Sequence, residues 1–409
     1  MKPELLFLAH RIPYPPNRGD KIRSWHILRH LGRFATVHLG CFGDNAADAA
    51  HLPALREAME GSLGEAYAEP LAGNQYTWVA RALATRRSIT TTAMASAKMQ
   101  AFVQRILAER PIAGIYAYSV QTAQYVPADL AIPFVMDFVD FDSVKYAEYA
   151  RSGGMAGRLL HGWEARRMFA LEKTTAARAD VSLFVSEAEA ALFRAEAGLP
   201  RADVRALANG IDLAFYDPAA GFAPLAPRTG PLLVFTGQMN YRPNARGVAA
   251  FVEAVFPLLR AARPDLEFAI VGRNPPPAIQ ALALRPGVIV TGEVPDVRPW
   301  LAAASIVVAP LQIARGVQNK VLEAMAMARP VVASPGAFEG IEAEPGRDLL
   351  VADTPDAQAQ AILSLLGDPA RAAAIGEAAR HRMVGHYSWD AQLAPLAAMF
   401  GQPAQKAAA

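Results

Sequence analysis

Cysteine is almost absent: Cys41 is the only one in 409 residues. A single thiol excludes an intramolecular disulfide and a Cys-rich metal site, and it fits a reducing cytoplasm. Long hydrophobic runs are missing too. No stretch approaches the roughly 20 apolar residues that span a bilayer. The run Leu5–Ala9, behind Met1, Lys2 and Pro3, is too short for the core of a signal peptide and reads as a first strand. Nor is there an excess of one charge. The chain has 40 Lys and Arg against 38 Asp and Glu, a formal +2, and a general nucleic-acid binder carries a larger positive excess. No His, Asp and Glu cluster has metal-ligand spacing. A GxxxxGKS/T phosphate loop, heptads and low-complexity tracts are also lacking.

What is present is globular. Hydrophobic residues make up 53% and charged residues 19%, and 409 residues exceed one ordinary core, so two domains are expected. Short apolar runs alternate with helical stretches. Strands are expected at 4–9, 36–41, 114–118, 134–137, 181–185 and 204–207. A second series is expected at 232–236, 267–271, 288–291, 306–309, 331–333 and 349–351. Continuous apolar runs of this kind suit strands buried on both faces of a parallel sheet. The strand–helix alternation predicts an α/β chain of two doubly wound, Rossmann-like domains with ligands at the carboxyl edges of the sheets, facing a cleft. Residues 214–231 are rich in Pro, Gly and Ala and read as a linker. The expected division is an N-terminal domain 1–213, the linker, a C-terminal domain 232–385, and a final helix 386–402 that returns to the first domain.

Charge is unevenly spread. Residues 1–33 hold seven Lys and Arg against Glu4 and Asp20, and residues 70–128 hold six against Glu109 alone. Solvated helix faces account for such a bias, as does a basic surface for an anionic acceptor or membrane leaflet.

The most informative segment runs from Ala309 to Ala333. A buried strand ends at Pro310, a loop carries Arg315 and Gly316, and a helix is expected from Asn319 to about Ala328. Gly316 permits close backbone approach. The free N–H groups of Val317, Gln318 and Asn319 mark a helix N-terminus suited to a diphosphate, and Lys320 adds positive charge. Glu323, eight residues after Arg315, can accept from both hydroxyls of a ribose. An ordinary crossover helix with a capping Glu would show the same spacing.

This segment, with its tail Leu322-Glu-Ala-Met-Ala-Met-Ala-Arg-Pro-Val-Val-Ala-Ser334, resembles the donor-site signature of retaining GT-B glycosyltransferases of family 4. The resemblance implies that Glu323 binds the nucleotide ribose and that Gly316 and its neighbours face the transferred sugar. Arg315 stands where the pattern has a Glu, which suggests a phosphate or acidic-sugar contact. Phe235-Thr236-Gly237-Gln238 resembles the first strand and loop of the donor domain. There the pattern carries Arg after the Gly and Lys six residues later, and this chain has Gln238 and Asn244. The cations would then come from Arg242, Arg273, Arg315 and Lys320. Val271-Gly272-Arg273 and Thr291-Gly292-Glu293-Val294 resemble two further nucleotide-contacting strand ends. Asn209-Gly210-Ile211-Asp212 resembles the turn that closes the first domain.

In the N-terminal half, a Pro-rich loop from His10 to Lys21 follows the first strand. Gly19 in it is the candidate near the reacting sugar, and Asp20 the expected helix N-cap. The segment Met136-Asp-Phe-Val-Asp-Phe-Asp-Ser143 offers Asp137 or Asp140 to polarise an acceptor hydroxyl, with Asp142 or Ser143 as cap. The DxD-like Asp140-Phe-Asp142 lies away from the donor signature and is not read as a metal motif. Tyr118 and Ser119 occupy the strand end where many family members carry a His, so no histidine base is assigned. Ser186 is expected to cap the next helix with Glu189 as its capping-box partner.

The resemblance thus implies a cytoplasmic, metal-independent enzyme that needs no cofactor beyond its nucleotide diphosphate sugar, with Gly19, Asp140 and Lys320 as catalytic candidates. The loop 11–21, the acidic segment and 315–326 further resemble bacterial sugar transferases found with exopolysaccharide and exosortase-type sorting systems. That implies a lipid-linked or polysaccharide acceptor, peripheral contact with an anionic inner membrane and no nucleic acid. Two other readings stay open: a nucleotide-sugar 2-epimerase, and a non-catalytic nucleotide-sugar-binding subunit.

Overall fold

A computed structural model of the chain describes residues 2–151, 154–311 and 317–401. The chain divides into two compact units, Met1–Asn209 joined by the chain from Gln392 onward, and Gly210–Ala391. Residues 214–231, expected as a linker, lie inside the second unit. They are held there by contacts that composition does not reveal: Arg298 Nη1 donates to the Phe215 carbonyl, Arg380 Nη1 donates to the Tyr216 carbonyl, and Arg228 pairs with Glu267 at 3.0 Å. The first unit's final segment begins at Gln392 rather than at 386.

Among the described residues, the first unit carries a seven-stranded parallel sheet: β1 (Glu4–Ala9), β2 (Thr36–Gly43), β3 (Leu63–Pro70), β4 (Ile112–Tyr118), β5 (Phe134–Val139), β6 (Val181–Phe184) and β7 (Val204–Ala206). Their order is β3-β2-β1-β4-β5-β6-β7. The apolar runs made all of these legible except β3. That strand, Leu63-Gly-Glu-Ala-Tyr-Ala-Glu-Pro70, lies at the sheet edge and is mostly half-buried, so it lacks the apolar run of a central strand. The order reverses between β1 and β4, and the carboxyl ends there are where ligands of open α/β sheets bind.

The Gly19–Phe34 helix follows β1 and brings Arg23 into the core. Arg23 is 1% exposed and meets Asp137 at the β5 end through Nε and Nη2; Tyr116 donates to the same carboxylate at 2.7 Å. Buried charge survives only when paired and hydrogen-bonded in this way. Asp137 is therefore spent on the core, which corrects its expected role toward an acceptor hydroxyl. Its Oδ1 also accepts from Val139 N, holding that β-branched residue at φ +71, a strained conformation at a strand end.

Among the described residues, the second unit carries six parallel strands: β8 (Leu232–Thr236), β9 (Glu267–Val271), β10 (Val288–Gly292), β11 (Ile306–Ala309), β12 (Val331–Ala333) and β13 (Leu350–Val351), ordered β10-β9-β8-β11-β12-β13. Order again reverses beside the first strand, so β8 and β11 flank the switch point. The Asn319–Ala326 helix leaves that edge with Val321, Leu322, Ala324, Met325 and Ala326 buried, the apolar face packed behind its polar N-terminus.

Candidate nucleotide site

The second unit holds a cavity of about 670 Å³ at this edge, within the range of small-molecule pockets. The ends of three adjacent strands make its floor. Gly237 N donates to the Val271 carbonyl at 3.0 Å and Gly272 N to the Gly292 carbonyl at 3.1 Å. A Cβ on Gly272 would meet the Gly237 carbonyl oxygen at 1.7 Å, so only glycine allows these strand ends to cross so closely.

On this floor the cations are held by neighbours. Lys320 Nζ donates to Asn244 Oδ1 and to Gln318 Oε1, each at 3.1 Å, and lies 5.6 Å from the Phe235 ring centre. Asn244 is 4% exposed and donates through Nδ2 to the Gln238 carbonyl at 2.9 Å. With its amide oxygen turned to the guanidinium, Gln238 accepts from Arg273 Nε at 3.0 Å. Burial pushes the Lys320 ammonium below its ordinary value, with Glu323 opposing in part. Burial pushes the Glu323 carboxyl up, and Tyr216 and Lys320 oppose it. The Tyr216 hydroxyl is raised by burial and by the Glu323 carboxylate beside it. A cation and a carboxylate one helical turn apart, each partly stripped of water, thus face one cavity, the kind of arrangement in which functional groups cluster.

The expected donor residues largely converge. Gly237, Gln238, Gly272, Arg273, Glu293, Val294, Val317, Asn319, Lys320 and Glu323 line the cavity. Gln318 acts from behind, through Lys320. Arg242 does not line it: it is exposed at the start of the Arg242–Ala250 helix, and Tyr241 lines the cavity instead. Arg315 and Gly316 lie outside the described residues. Thr236 and Val271 of the two strand-end motifs line it as well, and missed in the sequence were Tyr216, Tyr241 and Val297. For Tyr216 a signal existed. Asp212, closing the Asn-Gly turn, accepts from Ala214 N and Phe215 N through Oδ1, an Asx turn that presents the aromatic pair.

The first unit has a separate cavity of about 400 Å³ at the ends of β1, β4 and β5, lined by His10, Asp20, Trp78, Tyr118, Asp140 and Asp142 among others. Asp20 caps nothing: Arg18 is the N-cap residue, and Asp20 binds Arg11 and Arg18 through charge-assisted bonds of 2.8–3.0 Å. Burial pushes its carboxyl up, but contacts with His10, Arg18 and Arg11 outweigh that and hold it well below the carboxylate range. Asp142 and Ser143 are also not caps. Phe141 is the N-cap residue; Lys145 pairs with Asp140 at 2.5 Å and with Asp142 at 3.4 Å, and Ser143 N donates to Glu172. Ser186 does cap its helix, accepting from Glu189 N, but the Glu189 carboxylate accepts from Phe141 N instead of closing the box. Gly19 is exposed at its helix start, with nothing within 4 Å of an added Cβ. His10, one residue past β1, was missed; it stacks on Tyr118 at 5.4 Å, and burial lowers its pKa.

Much of the positive charge in the stretch 1–33 is neutralised within the unit. Arg11, Arg18, Lys21 and Arg23 all pair with carboxylates of this unit.

Two doubly wound parallel-sheet units, the second with a polar, aromatic-rimmed cavity at its switch point, define the GT-B fold. Residues 230–368 match the family model described as glycosyl transferases group 1, and fold and matched domain together make the chain a glycosyltransferase enzyme. Sucrose-phosphate synthase from Thermosynechococcus elongatus aligns over 98% of each chain at 18% identity, with a TM-score of 0.59. Anabaena Alr3699/HepE, solved in complex with UDP, aligns over 98% of this chain and 99% of its own at 16% identity, with a TM-score of 0.59. A glycosyltransferase from Rickettsia africae aligns over 98% of each chain at 14% identity, with the same score. No curated protein matches the sequence.

Proposed function

We propose that this enzyme transfers a sugar from a nucleotide diphosphate sugar, with retention of configuration, to a lipid-linked or polysaccharide acceptor in exopolysaccharide assembly. The observation that carries the donor half is the pairing of Lys320 and Glu323 in one cavity at the start of the Asn319–Ala326 helix. Glu323 takes the ribose hydroxyls. Lys320, Arg273 and the free N–H groups of the helix meet the diphosphate, and they stabilise its charge as the sugar departs without calling on a metal ion. Val271, Val294 and Val297 offer apolar contacts to the base. A uridine nucleotide is the first choice, supported by the UDP and UDP-glucose complexes of the Anabaena protein. On the acceptor side, Asp140 lines the first unit's cavity, and the open space at Gly19 leaves room beside Asp20. Retention, family 4 type and the exopolysaccharide setting rest on the sequence resemblance.

Calorimetric titration with UDP, GDP and ADP, followed by their sugars, tests the donor half. Binding of one nucleotide series, with transfer only when an acceptor is added, is expected. Binding of none refutes the assignment, and conversion of a nucleotide sugar without acceptor points to an isomerase.

A further inference from the structure

The Gln75–Thr85 helix is poorly buried for an element of a folded unit. Of its residues, Ala82 alone is buried, while Tyr76 is 86% and Leu83 50% exposed. The helix is nonetheless firmly built. Asn74 accepts from Tyr76 N and Thr77 N, and Thr77 Oγ1 accepts from Asn74 N, a complete capping box. Arg86 closes the other end in the left-handed conformation at φ +55.

Its charge is one-sided. Arg81 lies on the helix, Arg86 and Arg87 follow it, and no Asp or Glu occurs between residues 70 and 108. The Arg87 guanidinium donates to a neutral amide, Gln124, at 2.9 Å, and Arg81, Arg86 and Arg87 have no ion-pair partner among the described residues. Further along the same region two arginines are neutralised: Arg105 and Arg110 both pair with Glu65 at 2.8 Å. A capped helix with exposed Tyr and Leu, cations and no acid is the make-up of a segment that lies in a lipid headgroup layer. Its place in the unit agrees. Trp78 of this helix and Ile89 of the next, Ile89–Ala93, both line the first unit's cavity.

We propose that the Gln75–Thr85 helix docks the protein on an anionic lipid bilayer, with Tyr76 and Leu83 entering the headgroup layer and Arg81, Arg86 and Arg87 meeting lipid phosphates. The lipid surface would then lie at the edge of the cavity assigned to the acceptor, so a lipid-carried acceptor reaches it without leaving the bilayer. This placement rests on the acceptor reading above; the docking itself does not.

The test is co-sedimentation of the full chain with phosphatidylcholine vesicles, with and without phosphatidylglycerol. Binding is expected only with phosphatidylglycerol and should weaken with salt. Changing all three arginines to Gln should reduce it about 100-fold, from about fivefold per cation. Tyr76→Ser with Leu83→Ser should also weaken it, whereas Leu284→Ser, an equally bare apolar residue of the second unit (87% exposed), should not. UDP titration and thermal melting on the same samples separate the claims. A protein that melts normally and binds UDP but not anionic vesicles refutes the docking alone. Vesicle binding that neither set of helix variants alters refutes it equally.

Discussion

Replacing Glu323 by Gln removes one negative charge and changes little else in shape, so it isolates what the carboxylate does. In the proposed complex its two oxygens accept from the two ribose hydroxyls. Hydrogen bonds to a charged group are worth about 1.5–3 kcal/mol and neutral ones about 0.5–1.5. Gln keeps one acceptor oxygen and turns an amide N–H₂ toward the other hydroxyl. The expected loss over two bonds is about 2–3 kcal/mol, or roughly 30- to 150-fold in Kd. The assay is calorimetric titration of both proteins with UDP and with its 2′,3′-dideoxy analogue. Wild type should prefer UDP over the analogue by more than this factor, since the analogue loses both charged bonds, and the variant should keep only the smaller preference that neutral hydrogen bonds give. Because burial pushes the Glu323 carboxyl above the ordinary range, wild-type affinity for UDP should fall as pH is lowered toward that raised value. The Gln variant should not follow that fall. Equal weakening of both nucleotides by Glu323→Gln would refute the ribose contact, since the effect would then be on the pocket as a whole.

Lys320→Gln should weaken UDP by about 10- to 100-fold and leave uridine unchanged, because only the diphosphate needs the ammonium; equal losses in the same titration would place Lys320 elsewhere. Gly272→Ala must push apart two strand ends whose atoms would lie 1.7 Å from the new carbon. It should cost at least about 1–3 kcal/mol in urea unfolding and abolish nucleotide binding. Glu172 is 1% exposed and pushed up to about 7 by burial, against 4.5 ordinarily. Its folded-state value exceeds the unfolded one, so stability should fall as pH rises from about 4.5 to about 7, by up to about 3 kcal/mol, and level off above. Unfolding curves of Glu172→Gln across that window should lack the slope.

How much of this was legible in the sequence depended on whether the cause was local. The strands of both sheets read directly, because a strand covered on both faces must be a continuous apolar run; β3 escaped because an edge strand need not be. Residues 214–231 carry the composition of a linker, yet Arg298 and Arg380 fix Phe215 and Tyr216 from about 80 and 160 positions downstream. No local pattern announces that, and Tyr216, the aromatic neighbour of Glu323, went unread with it. The helix caps failed for a related reason. Asp20 and Asp142 stand in first turns, where acids are common, but Arg11 and Arg18 claim the first and Lys145 of its own helix claims the second, and an earlier residue takes the cap position.

The departures from the family pattern at positions 238 and 244 looked, in sequence, like lost phosphate ligands. The geometry gives them a different meaning. Gln238 accepts from Arg273, and Asn244 accepts from Lys320 while its own amide satisfies the Gln238 carbonyl. Each neutral side chain thus holds a cation that comes from another strand end or helix. A lysine at 244 would set a second ammonium beside Lys320 in a place where burial already lowers that group's pKa, and like charges there would repel. The two neutral residues and the two displaced cations are therefore one arrangement. In the proposed function, Lys320 and Arg273 supply from within the cavity the positive charge for a diphosphate that residues 238 and 244 do not.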